Sequence, residues 1–185
     1  MDRYNKRTGG PSRKNEPSYG GRNVRDERFE EQKKSGIIDE IIKGLENPQA
    51  SVDLVSKIVN SPKEFNIKSE SSYRKIHDLF SDVLDSTLNM INSNTLKAQI
   101  NQVYLNLSKV KVIIEYQKAR GQIGDNMAKV LNHAIDMLKK QLDNLNKNNQ
   151  PDLQGFRKLI ENIRVIIDSF AVLAALTKKK GKESE

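Results

Sequence analysis

From Ser35 to Leu176 the apolar residues recur every three or four positions, and no run of strand length alternates apolar with polar. A repeat near 3.6 gathers such residues on one face of a helix, whereas a half-buried strand needs a repeat of two. The chain therefore reads as all-α, a bundle of five to six helices. Ile37, Ile38, Ile41, Ile42 and Leu45 share a helix that Pro48 closes, and Val52, Val55, Ile58 and Val59 share a second that stops at Pro62. Residues 63–68 read as a connection. Ser69 or Ser71 can cap a third helix bearing Tyr73, Ile76, Phe80, Val83, Leu84 and Ile91, which ends at the turn Asn92-Ser93-Asn94. Thr95 is placed to cap a long helix over 95–120, broken by Gly121 and Gly124. Asp125 and Asp152 are placed to cap the last two, the final one running from Phe156 to Leu176.

The first 34 residues lack this pattern. They combine Gly, Pro, Ser and charge with almost no aliphatic side chains, so they cannot bury enough to offset the entropy of ordering. The expected organisation is a disordered basic tail over 1–34, a helical domain over 35–176 and a Lys-rich tail over 177–185. Tyr19-Gly20-Gly21-Arg22 resembles flexible Arg/Gly segments that track single strands, though a plain solvated tail has the same composition. Charge is divided unevenly along the chain. Residues 1–34 hold ten Lys/Arg against six Asp/Glu, 35–94 six against nine, 95–176 twelve against seven, and the last nine four against two. The excess of +8 thus sits in the tails and the second half of the core, where it suits a polyanion.

Catalytic chemistry finds no footing in these residues. The absence of cysteine removes disulfides, thiolate metal sites and thiol nucleophiles, and agrees with a reducing cytoplasm. Residues 1–34 carry no signal-like apolar run, and the apolar run Ala171–Leu176 is too short for a bilayer, so membrane insertion is not expected. His77 and His133 lie on different helices without metal-ligand spacing, and each reads as a half-buried packing residue, His133 alternatively as exposed. Asp78, Asp82 and Asp85 share a helix face and read as solvated acids or a partner-facing patch. Gly121-Gln122-Ile123-Gly124 matches the nucleotide-clamping GXXG loop in form, but without strands around it a helix C-cap and turn explain it better. The chain is expected not to be an enzyme and to need no cofactor or metal.

The most informative segment runs from Val103 to Ile123. Ile100, Val103, Tyr104, Leu107, Val110 and Ile114 cover one arc and should face the core. Leu105, Val112 and Ile113 make much of the other side apolar too, which predicts a central helix. Lys109, Tyr116 and Arg120 fall within about 40° of one another, and Lys111 and Lys118 form a second basic line. An Arg–aromatic–Lys stripe suits a phosphate backbone with an occasional stacked base, and it equally suits a rim of long side chains snorkelling around a buried helix.

Over roughly residues 95–180 the sequence resembles the small helical subunit of type III-A (Csm) CRISPR–Cas effector complexes. The resemblance rests on a Lys-containing helix ending Tyr-x-x-x-Arg (Tyr116, Arg120), on the amphipathic helix that follows, and on a last helix that opens with Phe156 and closes on Phe170, Ala171, Ala174 and Ala175. It departs from the family at Ile113, where a Lys is frequent, and at Ala174-Ala175-Leu176, where an Ala-Tyr-His-like segment is usual. The N-terminal tail lies outside it. The resemblance implies a non-catalytic subunit present in several copies, self-associated head to tail in a filament beside other Csm subunits. There it would contact the backbones of guide RNA and target RNA in antiviral defence, with sequence left to base pairing. Tyr116 and Arg120 match the motif directly. Lys109, Lys111 and Lys118 enter as neighbours on that helix, and Arg157 and Lys158 follow Phe156. Two rival readings remain open: a helical adaptor whose basic faces meet an acidic protein or membrane surface, and a free-standing single-strand nucleic-acid-binding protein outside CRISPR.

Overall fold

A computed structural model describes residues 36–47, 51–147 and 152–182, so the expected tail over 1–34 and Pro48 lie outside the described residues. Among the described residues the chain is all-helical, with no strand. A helix over 36–46 (α1) is followed by α2 (Ser51–Val59), α3 (Pro62–Phe65), α4 (Glu70–Asn92), α5 (Leu96–Ala119), α6 (Asp125–Lys147) and α7 (Leu153–Lys182). The count exceeds the expected five to six because one turn, α3, forms inside the stretch read as a connection. Pro62 opens it with a ring that costs nothing at a helix start, and Asn66 ends it at φ 44°. The last helix also outruns its expected end at Leu176, taking in six residues of the expected Lys-rich tail.

The four long helices form an up-down-up-down bundle. Helix α4 packs on α5 and α7, and α6 packs on α5 and α7, which leaves α5 diagonal to α7. Short turns force this order, since consecutive helices joined by a few residues must return antiparallel. The caps are partly those read in the sequence. Ser69 accepts a hydrogen bond from Ser72 N at 3.2 Å and Asp152 accepts one from Gly155 N at 2.8 Å. Thr95 makes no such bond to its own helix; its hydroxyl is paired with Ser93 Oγ at 2.8 Å instead. Asp125 is the first helical residue rather than the cap.

One continuous apolar core fills the bundle, and α7 is its hub. Phe156, Ile160, Ile163, Ile166, Ile167, Phe170 and Leu173 are all buried. Phe65 of α3 meets Phe170 edge-on at 4.8 Å, and the buried Tyr73 hydroxyl donates to Ile167 O at 2.6 Å. Helix α2 packs along α7 and α3 against α6. Helix α1 lies close enough to α2 that a Cβ on Gly44 would stand 2.4 Å from Leu54 Cδ2, and its Asp39 reaches Lys129 of α6 at 3.9 Å. The short helices therefore thicken the α6–α7 side of the bundle.

Nothing among the described residues covers the opposite side of α5. The expected core arc is buried at Ile100, Val103, Leu107, Val110 and Ile114, with Tyr104 half-buried. The expectation of a central helix, drawn from Leu105, Val112 and Ile113, fails at Leu105 (52% exposed) and Val112 (66%), while Ile113 is partly buried against the core. A four-helix ring gives each member two neighbours and one inner face, and the extra helices lie elsewhere. Ala98, Leu105, Val112 and Ala119, spaced seven apart, consequently form an exposed apolar seam.

Candidate nucleic-acid interface

Helix α5 presents its cations on two flanks of that seam, and the flanks differ in kind. The flank toward α6 is occupied by bonds within the chain. Lys111 Nζ pairs with Asp136 at 3.3 Å and Lys118 Nζ with Asp125 at 3.2 Å. Asn132 donates to Glu115 at 2.6 Å, and the Tyr104 hydroxyl donates to Asp143. Burial and that carboxylate together push the Tyr104 phenol up to about 12. Lys111 and Lys118 thus help seat α6, and a ligand there would have to share them with Asp136 and Asp125.

The outward flank is freer. Lys109 is exposed and has no ion pair among the described residues. Tyr116 stands out from the helix, and the Arg120 guanidinium lies 5.4 Å from its ring centroid while Arg120 Nη1 donates to the phenol oxygen at 3.3 Å. The pair holds a planar cation and a planar ring together at the surface, with most guanidinium donors still available. Lys109 and Arg120 are eleven residues apart, about 17 Å along the axis, a span of about five phosphates at the helical spacing of one strand.

Arg157 and Lys158 do not join this group. They sit in the first turns of α7, half-buried and exposed respectively, at the end of the bundle where Leu96, Leu145 and Leu153 converge. That end is about 30 Å from Arg120, by the rise of α5.

Other chain segments supply cations the helix reading passed over. Gly121 turns the chain at φ 65°, and Gly124 approaches so closely that a Cβ there would stand 2.6 Å from Phe65 O. Gly124 N donates to that oxygen at 3.2 Å, and Lys68 N donates to Gln122 O at 3.0 Å. The α5–α6 turn is thereby stitched to the α3–α4 turn, which brings Lys68 beside the end of α5. Lys68 and Lys75 lie in a stretch whose acidic balance concealed them, and only the tertiary bonds place Lys68 there.

The three aspartates of α4 are all exposed, as their spacing predicts, yet two of them also have polar neighbours. His77 faces Asp78 at 3.2 Å and Asp168 at 2.9 Å, and Asp85 pairs with Arg164 at 2.9 Å, so two of the three aspartates hold polar partners and one of those ties α4 to α7. His133 is half-buried, with Nε2 lacking a partner among the described residues. Among the described residues no cluster of His, Asp or Glu has the make-up of a metal site, and no helix is long and apolar enough to cross a membrane. No family model matches the chain, and no curated protein and no solved structure matches it either.

Proposed function

We propose that this chain is a non-catalytic small subunit of a type III-A CRISPR RNA-guided complex, binding the backbones of target and guide RNA through the outward flank of α5. The observation that carries the binding role is the outward display of Lys109 and Arg120, with Tyr116 held beside the arginine. A cation ladder releases condensed counterions from a polyanion, and the ring supplies a stacking surface indifferent to base identity. The assignment to a CRISPR complex draws its support from the Tyr-x-x-x-Arg helix, the amphipathic α6 and the Phe- and Ala-rich α7. Association with sister subunits has a candidate surface in the Ala98–Leu105–Val112–Ala119 seam. The same seam favours a second reading, an adaptor that docks a protein helix and leaves RNA alone.

Replacing Lys109, Lys118 and Arg120 with Ala tests the choice. RNA affinity should fall about equally for every sequence. The log–log salt slope should shallow by about 0.7 for each lost phosphate contact, so by about 1.4 if only Lys109 and Arg120 touch phosphate and about 2 if Lys118 also does. Titration at several salt concentrations, with circular dichroism alongside, reads both quantities. An unchanged slope with intact helicity would move the RNA face elsewhere. Firm incorporation on co-expression with backbone subunits and guide would separate the complex subunit from a free-standing binder.

A further inference from the structure

The stitched turns next to Arg120 open onto a groove on the outer face of α4, with a volume of about 590 Å³ and lined by Ile67, Lys68, Ser71, Arg74 and Lys75, with Glu70 and Asp78. Its charges are unequal in what they can offer. Glu70 is engaged by Arg74 at 3.3 Å, and Asp78 by His77 at 3.2 Å. Lys68 and Lys75 are exposed and have no ion pair among the described residues. Glu70 therefore has a cation of its own and Asp78 a ring nitrogen beside it, while the two ammonium groups face outward with no acid partner among the described residues. Asp125, at the same end of the bundle, is likewise held by Lys118 at 3.2 Å.

We propose that this groove is a second nucleic-acid backbone site, in which Lys68 and Lys75 contact phosphates of a strand that continues past Arg120 from α5 onto α4. The inference rests on the RNA reading of α5 and extends it to a separate element. Lys68 is fixed at the junction by its own main-chain bond to Gln122 O, so its side chain is left for the ligand. Lys75 is the sixth residue of α4, about 7–8 Å along its axis from Glu70, with Lys68 lying just outside the helix start. Phosphate is the ligand class that fits: the groove offers flexible point-charge donors, and its open shape leaves bases in solvent.

The test uses the full chain and a single-stranded uridine oligomer of about 15 nucleotides, long enough to cover both helices. Three double variants are compared across a salt series: K68A/K75A in the groove, K109A/R120A on α5, and K140A/K147A as a charge-matched control on exposed lysines of α6. The groove pair should shallow the salt slope by about 1.4, as should the α5 pair, with the control changing it far less. A five-nucleotide oligomer, about the reach of α5 alone, should respond to the α5 pair and not to the groove pair. A slope that changes only for the α5 pair overturns the groove site and leaves the α5 reading standing. A change only for the groove pair keeps the groove site and removes the α5 reading. Responses no larger than the control's overturn both. Because both lysines are exposed and the bond at residue 68 is main-chain, alanine should preserve the fold; K68Q/K75Q, which keeps long side chains, should reproduce the slope change.

Discussion

At the scale of single residues, the polar contacts that matter for stability are those across helix pairs. Tyr104 is the clearest case, because its phenol is raised from 10.0 to about 12, first by burial and then by Asp143. A folded value above the unfolded one means the folded state holds its proton more tightly. The associated stability is complete below pH 10.0 and is lost as pH rises toward 12. Tyr104→Phe should flatten that alkaline decline and remove one late component from the tyrosinate absorbance titration. Identical titrations for the two proteins would show that the phenol is not held this way. Tyr73 shifts in the same direction, through burial first and the charge of Asp168 second. Its phenol bonds a backbone carbonyl of α7, so it too resists losing its proton.

At the scale of elements, the connections carry more information than the helices do. Gly121 and Gly124 both interrupt α5 from α6, but for different reasons. Gly121→Ala places a side chain at φ 65°, a strain of about 1–2 kcal/mol. Gly124→Ala drives a Cβ against the main-chain oxygen of Phe65, which must move with the buried ring behind it, at a cost of about 1–3 kcal/mol. Urea denaturation should show both midpoints falling with little change of slope, and Gly124→Ala should also loosen protease resistance around α3. If Gly124→Ala proves harmless, α3 is not pinned to the α6 turn. Helix boundaries and inward faces were legible in the sequence because caps, breakers and the 3.6 repeat are local signals. The exposure of Leu105 and Val112 was not, because an apolar residue on a helix carries no mark of whether a neighbour will cover it. The flanks of α5 were equally hidden: Lys111 and Lys118 look like Lys109 until Asp136 and Asp125 are folded against them. Arg157 and Lys158 were grouped with α5 by sequence resemblance, and chain topology sets them at the far end.

At the scale of the whole molecule, α7 holds the parts together. Its eight buried apolar side chains from Phe156 to Leu173 each contribute about 1.5–3 kcal/mol of apolar burial, which together matches or exceeds the ~5–15 kcal/mol net stability of an ordinary domain. A chain ended before Leu153 should therefore lose its cooperative thermal transition and bind a hydrophobic dye, even though α4 to α6 remain. A sharp melt in that truncated chain would show that the first six helices close a core without it.

The placement of that helix has a bearing on how the protein is made. Helices α2, α4 and α6 all lean on an element that the ribosome delivers after them. Until it emerges, a nascent chain carries three apolar faces with no permanent cover, and transient pairing among them or with other chains competes with correct closure. Closing α2 onto α7 also joins segments about 100 residues apart, which slows folding relative to a bundle closed by neighbours alone. Codon usage or chaperone engagement across the stretch that encodes α6 and α7 should then influence yield more than equal changes upstream.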